Sequence, residues 1–169
     1  MSGIYVDTSA LVKYYYPEEG SETVEVRILG ASRVFLSQLS LVEMASALAK
    51  KLRTRELRSR ERTRIWTAFL SDLKAPQVDL LPIRPGHLDH AVELLNEYGK
   101  AFNLRSLDAV HLAVARLVPC DEILTSDGVM ATVARRLSMK VTHVQRDRTS
   151  QRVHDSGSPL FGKGGSGGI

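Results

Sequence analysis

The chain has 169 residues, 43% of them hydrophobic and 25% charged, which indicates one folded domain with a sizeable core and excludes disorder as the main state. Its formal net charge of +4 favours an anionic partner without identifying one. The sequence shows no apolar run that could span a bilayer and no export signal, so no membrane partner is expected, and the single cysteine, Cys120, favours a reducing, cytoplasmic setting.

Predicted strands and helices alternate along the chain. Strands are expected at residues 4–6, 33–37, 78–83, 122–125 and 140–144, and helices at 8–15, 21–29, 40–52, 60–73, 87–98, 109–117 and 128–137. This order predicts an α/β fold in which a central parallel sheet of about five strands carries helices on both faces, in three layers. The domain is expected to span residues 1–145, followed by a flexible Gly/Ser-rich C-terminal tail at 146–169.

Two of these helices carry more detailed expectations. Val24, Ile28 and Leu29 are expected on the inward face of the second helix. Leu88 is expected on the core face of the fifth, which Gly99 is expected to end as a C-cap.

Four acidic residues lie where strands end or helices begin. Asp7 and Asp127 each follow a strand and precede a helix, and each also fits an ordinary N-cap. Glu43 also fits a capping box with Ser40, and Asp108 also fits a first-turn acid that favours the helix dipole. Because strand carboxyl ends and the following helix N-termini share one edge of a parallel sheet, the four acids can face a common cleft.

Carboxylates gathered in one cleft repel one another unless they are protonated or neutralised by a cation. Hard oxygen ligands of this kind suit Mg²⁺ or Mn²⁺. A carboxylate cluster with no accompanying base favours phosphodiester hydrolysis, in which the metal polarises the phosphate and activates water. His111, three residues after Asp108, could approach the cleft, but a packed or surface histidine is the favoured interpretation.

Other chemistries find little support in the sequence. No glycine-rich phosphate loop follows the first strand, which argues against nucleotide or dinucleotide binding. No Gly-x-Ser-x-Gly motif is present, which argues against an α/β-hydrolase. The acidic cluster therefore remains the main chemical signal.

Four short stretches resemble the PIN-domain ribonucleases. They are V-D-T-S-A-L-V-K at 6–13, L-S-L-V-E-M-A-S-A-L at 39–48, L-R-S-L-D-A-V-H-L-A at 104–113 and L-T-S-D at 124–127. The likeness is greatest to the toxins of bacterial and archaeal VapBC toxin–antitoxin pairs, and it runs in order from residue 4 to about 144.

This resemblance implies a PIN-like fold and a Mg²⁺- or Mn²⁺-dependent endoribonuclease that cuts single-stranded or loop RNA. The family's metal-binding and catalytic acids fall on Asp7, Glu43, Asp108 and Asp127, and its supporting hydroxyl groups fall on Thr8, Ser9 and Thr125. It also implies a homodimer, with higher toxin–antitoxin assemblies as a further option, and a VapB-like antitoxin that obstructs the active site. The tail beyond about residue 145 is not explained by the family pattern.

The basic run at residues 50–64 holds eight Lys or Arg against two Glu, a net charge of +6. The candidates for RNA phosphate contacts are Lys50, Lys51, Arg53, Arg55 and Arg58. A solvated face of a helical hairpin explains the same run equally well. Alternative functions are another metal-dependent phosphoesterase, such as a DNA flap-type nuclease, and a catalytically silent nucleic-acid- or partner-binding module.

Overall fold

A parallel sheet runs through the centre of the structure. The computed structural model describes residues 3–144, where five strands pair in the order β3-β2-β1-β4-β5, all parallel. The strands are β1 (Gly3–Val6), β2 (Arg33–Ser37), β3 (Val78–Leu81), β4 (Glu122–Thr125) and β5 (Val141–His143). The predicted sheet is thus confirmed, while the expected tail at 146–169 lies outside the described residues.

Helices cover both faces of this sheet. Within residues 3–144 they are α1 (Thr8–Tyr15), α2 (Ser21–Leu29), α3 (Leu39–Arg53), α4 (Ser59–Asp72), α5 (Pro85–Phe102), α6 (Ser106–Ala115) and α7 (Gly128–Arg136). None of the helices in this part of the chain combines the length and apolarity needed to cross a membrane.

Alternation along β1 separates two apolar clusters. Side chains on successive strand residues point to opposite faces, so Ile4 and Val6 pack with α1 to α4, whereas Tyr5 packs with α5 to α7. All of β1 is buried, as expected for a strand flanked by parallel neighbours and covered on both sides. The predicted three-layer architecture is confirmed.

The register of the sheet places its functional edge. Val6 is aligned with Leu124 of β4, and the Asp7 amide continues the ladder by donating to the Leu124 carbonyl at 2.9 Å. Asp7 and Thr125 therefore leave their strands side by side. The N-termini of α1, α3, α6 and α7 follow these strands and loops at the same edge.

Three local expectations were wrong. Leu29 is 54% exposed, because a helix turns by about 100° per residue and Val24 and Ile28 already occupy the buried face of α2. Leu88 is also exposed. Gly99 lies inside α5, which continues to Phe102 and ends at Asn103 with a left-handed φ of 57°, a conformation that asparagine tolerates.

The two neighbouring residues on α2 give a direct test of this packing. Ile28→Ala should lower the free energy of unfolding by about 2–5 kcal/mol, because it empties a fully buried site. Leu29→Ala should change it by less than about 0.5 kcal/mol, because that side chain is mostly in water. Urea denaturation of both variants measures the difference, and equal losses would contradict the burial pattern.

Candidate metal centre

Asp7 occupies the N-cap position of α1, but its side chain makes no capping hydrogen bond. Instead, the hydroxyl groups of Ser9 and Thr125 donate to Asp7 Oδ2 at 2.5 Å and 2.8 Å. The Ser126 amide in turn donates to Ser9 Oγ at 2.9 Å. The carboxylate is buried and held in one orientation by Ser9 of α1 and Thr125 at the end of β4, so the capping interpretation explains its position but not its contacts.

Glu43 does not form the expected capping box with Ser40. Helix α3 begins at Leu39, one residue before the predicted start, and the Glu43 side chain turns away from its own helix. Its Oε2 accepts a 2.5 Å hydrogen bond from Thr8 and lies 2.7 Å from Nε2 of His111. Glu43 therefore connects α3 to α1 and α6 above the edge of the sheet.

His111 is the first site residue that the sequence interpretation undervalued. It is fully buried, as expected of a packed histidine, yet its Nε2 also lies 3.6 Å from Asp7 Oδ1. Its Nδ1 lies 2.7 Å from the Tyr5 hydroxyl. The signal was present in the sequence, since residues three apart on a helix lie on the same face and His111 follows Asp108 by three.

The electrostatics of this pair are those of a charge-assisted hydrogen bond. Burial alone would lower the pKa of His111, but the hydrogen bond to Glu43 and the charges of Asp7, Glu43 and Asp108 outweigh it and raise that pKa. Burial alone would raise the pKa of Glu43, but His111, Thr8 and Arg105 lower it. The expectation that the acids have no accompanying base was therefore wrong.

Asp108 and Asp127 form the outer part of the acidic edge, and Arg105 bridges them. Arg105 Nε lies 3.0 Å from Asp108 Oδ2, and its Nη2 lies 2.5 Å from Asp127 Oδ2. Asp127 is also a true N-cap, because its Oδ1 accepts the Met130 amide at 2.8 Å. Arg105 was not among the predicted site residues, although it precedes Asp108 by three positions.

Like charges compete with Arg105 at Asp108. Burial and the negative charges of Asp127 and Asp7 raise the pKa of Asp108, and the guanidinium of Arg105 only partly offsets them. The four predicted acids thus influence one another along one edge of the sheet, in two groups. Asp7 and Glu43 form the inner group with His111, and Asp108 and Asp127 form the outer group with Arg105.

The inner group has the donors for a small divalent cation. Asp7, Glu43 and His111 each offer one ligand atom, and these atoms lie within 4.8 Å of one another; Asp108 and Asp127 do not join that set. Ligand atoms around a six-coordinate Mg²⁺ lie about 3–4 Å apart, so the widest pair of ligand atoms needs to close by about 1–2 Å. Oxygen donors and neighbouring negative charge fit Mg²⁺ or Mn²⁺.

The predicted basic candidates lie towards the other end of α3. Lys50 follows Glu43 by seven residues, a rise of about 10 Å along the helix. Lys50, Arg53, Arg55 and Arg58 are exposed. Lys51 differs, because it forms ion pairs with Glu18 and Glu56 and its Nζ lies 3.7 Å from the centroid of the Tyr16 ring. Four of the five candidates thus present free basic surface, whereas Lys51 is engaged within the fold.

Comparison with known proteins identifies one family. The sequence matches the family described as PIN domain over residues 4–136. Ribonuclease VapC46 of Mycobacterium tuberculosis is 32% identical over 143 residues, which cover 83% of this chain and 97% of that protein.

Two solved structures share the fold. VapC20 of Mycobacterium tuberculosis, a toxin that cleaves the sarcin-ricin loop, superposes with a TM-score of 0.60 at 19% identity, covering 77% of this chain and 94% of that one. VapBC2 of Rickettsia felis, bound to a DNA fragment from its promoter, gives a TM-score of 0.53 at 12% identity, covering 86% and 99%. At such identities the likeness shows the fold alone.

Repulsion within the outer group predicts a gain of stability on neutralisation. In EDTA, Asp108→Asn should raise the midpoint of thermal unfolding by about 2–5 °C, because it removes a half-buried carboxylate from beside Asp127 and Asp7. Asp121→Asn is the matched control, since Asp121 lies before β4 at the opposite edge and its amide replacement can still accept the Gly3 N–H. A loss of stability in Asp108→Asn would show that the Arg105 contact outweighs the repulsion.

Proposed function

Because this chain belongs to the PIN domain family, we propose that it is a Mg²⁺- or Mn²⁺-dependent endoribonuclease acting as the toxin of a toxin–antitoxin pair. Its similarity to a VapC ribonuclease over 83% of its length supports the reaction class. The observation that carries the proposal is the convergence of Asp7, Glu43, Asp108 and Asp127 on one sheet edge, where ligand atoms of Asp7, Glu43 and His111 lie within 4.8 Å of one another.

In this proposal Asp7 and Glu43 hold the metal ion. The hydrogen bonds from Ser9 and Thr125 fix one oxygen of Asp7 and so set the direction of the other. Thr8 and His111 do the same for Glu43. Both ring nitrogens of His111 already have partners at 2.7 Å, Nδ1 at the Tyr5 hydroxyl and Nε2 at Glu43, so we assign His111 to orient Glu43 rather than to bind the ion.

The remaining groups act around that ion. When bound, Mg²⁺ or Mn²⁺ supplies Lewis acidity at the scissile phosphate and an activated water. Asp108 and Asp127 add negative charge at the same edge, which raises the affinity of the site for a cation, and in this proposal they turn towards the cation once it is bound. The hydroxyl groups of Thr8, Ser9 and Thr125 hold the acids through donated hydrogen bonds, as the family resemblance implies.

RNA is the proposed polyanion for the exposed basic surface formed by Lys50, Arg53, Arg55 and Arg58. An RNA strand that reaches from the acidic edge to this surface must cover about 10 Å or more, which a few nucleotides do. Contacts of this kind go to phosphates and carry little sequence information. The RNA bound at this surface would be single-stranded or looped, as the family resemblance implies.

Exposed apolar side chains beside the acids support a partner that covers the site. Val42, next to Glu43, is 69% exposed, and Leu107, next to Asp108, is also exposed. We propose that a VapB-like antitoxin packs on this apolar rim and obstructs the acidic edge. The homodimer is part of the same proposal, with Leu88 and Val92 as an exposed apolar pair one turn apart on α5, and so is a cytoplasmic setting.

Metal-dependent cleavage is the decisive test of the reaction. Purified protein should cut a single-stranded RNA with Mg²⁺ or Mn²⁺ and stop in EDTA. Asp7→Asn should lower the rate by about 100-fold or more, the scale on which lost ligands and their supports reduce metal-site activity. The matched control is Asp121→Asn at the opposite edge, which should cleave as the wild type does.

The alternatives give different results in the same assay. Unchanged cleavage by a folded Asp7→Asn variant would contradict the assignment. Cleavage of DNA but not RNA would favour a flap-type nuclease, and RNA binding without cleavage would favour a silent binding module. Circular dichroism on each variant verifies that the fold is intact.

Neighbouring lysines test the basic surface. Lys50→Gln should weaken RNA binding and reduce the slope of log K against log salt by about one, because one phosphate contact is lost, with stability within about 0.5 kcal/mol of wild type. Lys51→Gln should instead cost on the order of 1 kcal/mol of stability, from its Glu18 pair and ring contact. Fluorescence anisotropy at several salt concentrations measures the first effect, and equal RNA affinity in all three proteins would exclude this surface.

A further inference from the structure

The two groups of acids are neutralised in different ways. The inner carboxylates of Asp7 and Glu43 are held by hydroxyl groups and by the fully buried His111. The outer carboxylates of Asp108 and Asp127 are joined by one guanidinium, whose side chain is 66% exposed. The outer group therefore depends on a cation that water can reach and that is free to leave.

Arg105 reaches the acids from the start of α6. Its backbone is the N-cap of that helix, extended at φ −91° and ψ 159°, and its side chain makes no capping hydrogen bond. The guanidinium uses two donors, Nε for Asp108 and Nη2 for Asp127, so that one positive charge serves two carboxylates. Nothing in the helix start requires the side chain to stay there.

Exposed ion pairs are weak, because water screens the charges and because holding a long side chain costs entropy. A divalent cation carries twice the charge and binds carboxylate oxygens directly, at about 2 Å. It therefore competes well for oxygens that Arg105 holds at 2.5 Å and 3.0 Å. The Arg105 ion pairs relieve the repulsion between Asp108 and Asp127 when no metal is bound. They must break when these two acids turn towards a metal ion.

We propose that Arg105 is a displaceable counter-ion, which neutralises Asp108 and Asp127 in the metal-free protein and is released from them when a divalent cation binds. The inference rests on the proposed metal site and adds an exchange step to it. Arg105 also lowers the pKa of Glu43, so its charge acts on the inner group as well. Metal affinity is accordingly set by a competition between the cation and the chain's own arginine.

The exchange predicts opposite effects of one substitution with and without metal. Arg105→Gln should bind Mn²⁺ about three- to tenfold more tightly in calorimetric titration, because the metal no longer displaces an ion pair. In EDTA the same variant should unfold at a lower temperature than wild type, because Asp108 and Asp127 lose their shared counter-ion. Saturating Mn²⁺ should close that gap.

Arg84→Gln is the matched control. Arg84 is also the N-cap of a helix, α5, with extended backbone at φ −112° and ψ 158°, and its amide donates to His87 through an atom that the substitution keeps. It carries the same charge but lies beside Leu117 and Val118 just beyond the C-terminal end of α6, whereas Arg105 lies at the N-terminus of that helix. Its Mn²⁺ affinity should stay within about twofold of wild type, which separates the loss of the bridge from the loss of one unit of net charge.

A direct readout comes from the Arg105 Nε–H resonance of the labelled wild-type protein. Addition of Mg²⁺ should shift this signal and accelerate its exchange with water as the guanidinium leaves Asp108. Equal or weaker Mn²⁺ binding by Arg105→Gln, an unmoved Nε–H signal at saturating Mg²⁺, or no metal binding by either protein would overturn the proposal. These measurements use no RNA, so a protein that exchanges Arg105 for metal but cuts no RNA would reject the ribonuclease proposal alone.

Discussion

Repulsion among four carboxylates at one edge of a parallel sheet is the constraint that the surrounding structure answers. Each acid has its own compensation: hydroxyl donors for Asp7, an imidazole and a hydroxyl for Glu43, and a shared guanidinium for Asp108 and Asp127. None of these partners removes the negative charge from the edge as a whole. A site that is only partly compensated by the protein is suited to receive a cation.

The fold tolerates this concentration of negative charge because the acids are attached to rigid strands and helices. Asp7 continues the ladder of the fully buried central strand, and Thr125 ends the strand beside it. The positions of the carboxylates are therefore set by backbone hydrogen bonds and by the two apolar clusters on either side of the sheet. Loops alone would let like charges drift apart.

Strand–helix order and the placement of the four acids at one edge of the sheet could be predicted because they depend on local features of the sequence. Asp7 and Asp127 stand at junctions that hydrophobic runs reveal directly. The partners of the acids could not be predicted in the same way. In the sequence, His111 has the features of a packed core residue and Arg105 those of a solvent-exposed one, and only the tertiary structure brings them to the acids. For that reason His111 was undervalued and Arg105 was missed. The end of α5 was misjudged because a glycine inside a helix costs only about 1 kcal/mol, and Asn103 adopts the left-handed ending instead.

The Glu43–His111 contact has a mechanical meaning as well as an electrostatic one. Glu43 belongs to the helical layer on one side of the sheet and His111 to the layer on the other, and each layer has its own apolar cluster. Their hydrogen bond joins the two helical layers above the strand ends, and the Tyr5 hydroxyl contacts His111 from within the sheet. A cation bound at this junction would link the layers that carry the two apolar clusters. Its binding would therefore make the two layers unfold more cooperatively.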